Sequence, residues 1–269
     1  MAVEGWLIAE GDFLLVFPVE KWFRDLPTFV EHTHRLFGVL VGIGAVTTVF
    51  FAWRESLRAR QRAACVAGLL AVCAQGAIGG FRVLENSLEL AFLHGALAQA
   101  VFAGLCVVAW SVRPRAPEPA PGESGESGGS SLALASCIAV YGQIVLGAWY
   151  RHGVRPEPVA GAGERLVWHL MGALLVLAVL AAFAHQLGRS GLTAQRRRIH
   201  ALLGVQLLLG FASWVGYRPG SVGALEWAFT ILHVLVGALL LASVTCATLD
   251  VLRAAPRVSS RARTAEGTL

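Results

Sequence analysis

The chain has 269 residues, 56% of them hydrophobic and 14% charged, with a mean hydropathy of +0.63. Soluble domains run to about 45–50% apolar and about 25% charged residues, so this composition excludes a soluble globule, a disordered tail, a collagen-like chain and a disulfide scaffold. The formal charge of +5 is carried by 21 Arg and one Lys that fall mostly in alternate loops, which marks orientation in a membrane and not a nucleic-acid surface.

The first segment, residues 1–30, lacks the basic start of a signal peptide, and its apolar stretches are too broken to span a bilayer. It reads as an outer, aqueous or interfacial segment. Apolar windows then predict seven membrane helices at roughly Glu31–Trp53, Ala63–Phe81, Ala91–Trp110, Leu132–Tyr150, Leu166–Gln186, Ile199–Tyr217 and Trp227–Leu249. The predicted class is an all-α polytopic membrane protein. Fourteen arginines, from Arg54 to Arg62, at Arg113 and Arg115, from Arg189 to Arg198 and from Arg253 to Arg263, lie on one side of that pattern. Those loops and the carboxyl terminus are expected in the cytoplasm. The Pro-, Gly- and Ser-rich stretch 113–130 reads as a flexible linker between two halves, 31–112 and 131–250, followed by a tail, 251–269. The five cysteines all sit in apolar runs, where thiols behave as small hydrophobes, and no disulfide framework is implied.

A weak repeat supports the division. Gln75-x-x-x-Gly79, Gln143-x-x-x-Gly147 and Gln206-x-x-x-Gly210 each sit late in an outward-running helix, followed by an outer loop and a helix with an early histidine. His94, His169 and His233 each close such a unit, whereas His34 has an outer loop before it and no helix before that. The repeat thus predicts one further helix ahead of residue 1. His34, His94, His169 and His233 follow the nearest upstream charge by 3 to 7 residues, which places all four roughly 5–10 Å below the outer helix ends at about 1.5 Å per residue. Each has a small residue one turn deeper (Gly38, Ala98, Gly172 or Ala173, Gly237), read here as room for a flat macrocycle beside an axial imidazole. Two halves with two histidines each match the needs of two bis-imidazole hemes. Structural zinc fits poorly, because Glu31 is the only Cys, Asp or Glu at that level.

The other histidines carry different expectations. His185 and His200 fall at inner helix ends as interface residues, and His32 faces away from His34 on a helix. His152, beside Arg151, is placed in an outer loop; the two are candidate propionate contacts, with a solvated loop as the alternative, and Arg35 and Arg82 join the same candidate set. Glu31 stands three residues before His34 near a helix amino terminus. It is read either as a carboxylate serving proton transfer beside a heme or as the ion-pair partner of Arg35. Two other function classes share the ligands. One is a di-heme membrane cytochrome b that only carries electrons; the other is a non-enzymatic heme chaperone.

Glu31-x-x-His34-Arg35-Leu-x-Gly38, Leu93-His94-Gly-x-Leu-Ala-Gln99, Trp168-His169-Leu-x-Gly172 and Leu232-His233-Val-x-x-Gly237-Ala-Leu together resemble the four histidine helices of the heme A synthase family. The resemblance covers nearly all of the membrane region. It implies two pseudo-symmetric four-helix bundles, here about three helices plus four, since the family's first transmembrane helix has no counterpart in the chain. It implies heme b as cofactor on His169 and His233, the substrate heme o between His34 and His94, and Glu31 as the functional glutamate. The implied reaction oxidises the C8 methyl of heme o, through hydroxylated intermediates, to the formyl group of heme A for cytochrome oxidase. The implied partners are membrane lipid, heme o synthase (protoheme farnesyltransferase) and a membrane electron donor, in a bacterial cytoplasmic membrane, with no nucleic acid. The paired cysteines found in the first outer loop of some members are absent, as no Cys precedes Cys65.

Overall fold

The structure, a computed structural model, describes residues 8–9, 11–113, 129–154, 160–216 and 223–254. A backbone in hydrocarbon must satisfy its own hydrogen bonds, and long apolar runs do so as helices. Seven follow: α2 (Leu26–Arg54), α3 (Ala59–Leu84), α4 (Leu88–Val112), α5 (Gly129–Val154), α6 (Ala162–Arg189), α7 (Thr193–Gly216) and α8 (Ala224–Ala254). All seven are long and apolar enough to cross a bilayer, and the chain is a multi-pass membrane protein. Six of the helices overrun both predicted ends and α7 overruns its predicted start, its predicted end at Tyr217 lying outside the described residues. α7, for example, begins at Thr193 and takes in Arg196–Arg198. Apolar windows register only the stretch immersed in hydrocarbon, whereas charged residues continue the same helix into the headgroup zone.

Ahead of α2 lies a small cap. β1 (Ile8–Ala9) pairs antiparallel with β2 (Asp12–Phe13), a 3-10 turn covers Leu14–Val16, and α1 spans Val19–Trp22. Phe17 stacks on His32 at 4.6 Å and Trp22 meets the same ring edge-on at 4.9 Å, so His32 is buried under the cap. The predicted outer segment therefore ends before residue 30, because Asp25 caps α2: its Oδ1 accepts from the Thr28 amide at 2.8 Å, with Pro27 in the first turn. Ser87 caps α4 in the same way, its Oγ accepting from Leu90 N at 3.1 Å. The tight α3–α4 turn passes through Asn86 at φ +47°, a left-handed conformation that asparagine tolerates better than most residues.

The helices pair as antiparallel hairpins, α3 with α4, α5 with α6 and α7 with α8. α2 packs on α3 in one bundle; α5 to α8 close a second, and α4 is the seam, lying against both α5 and α8. The second bundle holds the larger core, including Leu180, Phe183, Leu187, Ile199, Leu203, Leu240, Val244 and Ala247. A smaller cluster of Ala52, Cys65 and Val108 serves the first. Both clusters lie toward the arginine-rich ends of their helices. A polar knot joins the bundles at that same end. Asp250 accepts from Trp110 Nε1 at 3.0 Å and from Gln195 Nε2 at 3.3 Å and pairs with Arg113, while the Arg253 guanidinium lies over the Trp110 ring.

Candidate functional site

At the opposite, histidine-bearing end, the four singled-out histidines form two pairs, one in each bundle. His34 on α2 and His94 on α4 have ring centres 6.1 Å apart with planes at 89°; His169 on α6 and His233 on α8 are 6.4 Å apart at 78°. Two imidazoles sharing one metal at about 2.0–2.1 Å per nitrogen, with each nitrogen about 1.1 Å from its ring centre, stand about 6.3 Å apart. The pairs fit that requirement. Among the described residues no group of three or more His, Cys, Asp and Glu is arranged to hold a bare metal ion.

Each histidine in a hairpin is held by the helix before it. Gln75 Nε2 on α3 donates to His94 Nδ1 at 3.0 Å and to the His94 carbonyl at 2.8 Å. Gln143 on α5 makes the same two contacts with His169, at 3.0 and 2.8 Å. At the third position His233 Nδ1 donates to the main-chain carbonyl of Gln206 at 3.2 Å, and Gln206 Nε2 donates to His233 Nε2 at 3.3 Å. The glycine four residues after each glutamine makes space for the ring. A Cβ on Gly79, Gly147 or Gly210 would stand 2.8, 2.9 or 3.0 Å from Cε1 of His94, His169 or His233. The sequence repeat is thus a bracket, amide below and bare backbone beside, and its contact with the histidine was not legible from spacing alone. The separation from Gln to His is 19, 26 and 27 residues, because connections of different length intervene.

This corrects one sequence expectation. Gly172 and Gly237 do not stand open for a macrocycle, because a Cβ on Gly172 would run into the Gln143 amide and Leu146, and one on Gly237 would lie 3.2 Å from Gln206 Nε2. They admit the bracket. Gly38, below His34, has nothing within 4 Å of its would-be Cβ, and the His34 ring is the exposed one of the four, because α2 packs chiefly against α3.

Glu31 Oε1 accepts from Arg35 Nη2 at 2.8 Å one turn on, so the Arg35 pairing expected as the alternative is present. Arg82, at the end of α3, lies within electrostatic reach of His34, His94 and His152. Arg151 and His152 are not in a loop as predicted. They form the last turn of α5, where the helix runs on past Tyr150. From there His152 reaches the other bundle, edge-on to Phe92 at 6.2 Å and 4.0 Å from the position of a Cβ on Gly95, the residue next to His94. Two residues earlier, Tyr150 stacks on His169 at 6.3 Å and 12°, a contact the sequence reading missed. His185 and His200 are exposed at the arginine-rich end, apart from both pairs.

Comparison with known proteins follows the same lines. The chain is 28% identical over 229 residues to a protein of Beijerinckia indica subsp. indica named heme A synthase, an alignment covering 81% of this chain and 62% of that protein. The chain thus spans less than two thirds of that relative's length. No solved structure matches it. The family model of the cytochrome oxidase assembly proteins, COX15-CtaA, matches residues 20–155, which hold Glu31, the His34–His94 pair and two of the three glutamine brackets, and the chain belongs to that family.

Proposed function

We propose that this protein is a heme A synthase, an oxidoreductase that converts the C8 methyl of heme o to the formyl group of heme A in the bacterial cytoplasmic membrane. The observation that carries the reading is the pair of crossed imidazole couples, 6.1 and 6.4 Å between ring centres, at one end of two adjoining bundles. In this reading His169 and His233 hold heme b, which supplies one-electron transfer. His34 and His94 embrace the substrate heme, whose exposed side at His34 suits a molecule that must enter and leave. Methyl-to-formyl conversion removes four electrons and adds one oxygen, so a proton acceptor near the methyl and an electron partner in the membrane are both required. Glu31, one turn from His34 and held by Arg35, is the proposed catalytic carboxylate. Arg35, Arg82, Arg151 and His152 ring the same end and are the proposed propionate contacts.

A cytochrome that relays electrons across the bilayer stacks its hemes at opposite faces, whereas both couples here share one end. Pyridine hemochrome spectra of the purified protein, with chromatography of the extracted hemes from cells supplying heme o, test the proposal. Heme A together with heme b is the expected content. Heme o or heme b alone, with no heme A formed, points instead to a chaperone or an electron carrier.

A further inference from the structure

The three brackets share a feature that packing alone does not require: the Oε1 atoms of Gln75, Gln143 and Gln206 are buried with no hydrogen-bond partner among the described residues. A buried acceptor left empty is costly, and a leucine would fill the same space without that cost. A neutral imidazole has one nitrogen that donates and one that accepts. In His94 and His169 the Nδ1 atom accepts from the glutamine amide, which leaves the proton on Nε2. A metal at Nε2 requires the opposite tautomer, with Nδ1–H donating to an acceptor. The Oε1 on the same amide is that acceptor once the amide turns, giving up the 2.8 Å bond of its Nε2 to the histidine's own carbonyl.

We propose that Gln75 and Gln143 are positioning residues that serve both states of their histidine, donating through Nε2 to the free imidazole and accepting through Oε1 from the iron-bound one, by rotation of the side-chain amide. His233 works differently. Its Nδ1–H already donates to the Gln206 main-chain carbonyl, so it stands in the ligating tautomer, and the Gln206 side-chain amide, which donates to Nε2 at 3.3 Å, has only to withdraw from the nitrogen that takes the metal. The bracket therefore distinguishes the two ligands of one heme, a switchable one on α6 and a fixed one on α8. The inference rests on the proposed heme site and concerns how that site is assembled.

The test uses the full chain in detergent carrying His34→Ala and His94→Ala, so that only the second couple takes heme, titrated with hemin and followed by optical and electron paramagnetic resonance spectra and by redox titration. Gln143→Leu should weaken hemin binding about 10–100-fold. Gln143→Glu keeps an acceptor and loses the donor, so it should bind hemin at least as well as the parent and lower the midpoint potential, because a stronger acceptor on Nδ1–H makes the imidazole the better donor to ferric iron. Gln206→Leu should bind far more tightly than Gln143→Leu. A purely structural glutamine would move Leu and Glu variants in the same direction, and that result overturns the proposal, as does wild-type affinity and potential in Gln143→Leu. If the Leu variant fails to fold, the Glu variant decides, and an unchanged potential there rejects the switch. Loss of hemin binding in His169→Ala together with indifferent Gln143 variants removes only the bracket; retained binding in His169→Ala removes the heme site and the bracket with it.

Discussion

Glu31 and Arg35 face each other across one turn of α2, and the guanidinium is the more enclosed partner, 12% exposed against 34%. As a partly exposed i,i+4 pair it contributes about 0.3–0.5 kcal/mol to the helix, too little to explain a carboxylate held beside a histidine couple. Glu31→Gln keeps the shape and most of the hydrogen bonding. It should fold, retain heme b, and accumulate heme o or a hydroxylated intermediate when extracted hemes are separated; wild-type heme A would reduce Glu31 to Arg35's partner. The glycines of the brackets offer a cleaner contrast. Gly147→Ala puts a methyl 2.9 Å from His169 Cε1, whereas Gly142→Ala, on the same helix, meets nothing within 4 Å. The first should displace the ring and lose the low-spin heme spectrum, with the helical content by circular dichroism unchanged. The second should be silent in both.

At the scale of elements, the start of α2 is set by one carboxylate. The Thr28 amide, with help from the Thr28 and Arg24 side chains, holds the Asp25 carboxyl below its ordinary range. A folded-state value lower than the unfolded one means the cap stabilises at all pH above about 3.9 and is lost as pH falls through the lower folded value. Amide exchange at Thr28 should report that loss in acid, and Asp25→Asn, which keeps an acceptor, should make the protection independent of pH. All seven membrane helices were legible as apolar runs, because hydrocarbon thickness imposes their length; their ends were not, because caps such as Asp25 and Ser87 obey local hydrogen bonding. The four histidines were legible through their common depth. The Gln-x-x-x-Gly repeat was visible as a pattern, yet its meaning lay in a contact across a hairpin whose loop length varies. Tyr150 against His169 and His152 against Phe92 were hidden because α5 continues one turn past its apolar window.

For the whole molecule, the Asp250 knot is the tie between bundles at the arginine-rich end, drawing on α4, α7 and α8 at once. Asp250→Ala leaves Trp110, Gln195 and Arg113 without their shared acceptor and should cost about 2–3 kcal/mol, read as a lower melting temperature in detergent with the heme spectrum intact. Reporters fused between Pro114 and Ser130 should register on the cytoplasmic side; a periplasmic signal would invert the proposed membrane orientation. Apolar packing is concentrated at the knotted end, while the far end is held by contacts between imidazoles and glutamine amides. The protein is built like a clothes-peg, with its spring at one end and its jaws at the other. A group held in those jaws at 100 times its dissociation constant adds about 2.7 kcal/mol, which melting should reveal first in the histidine-bearing turns of α6 and α8.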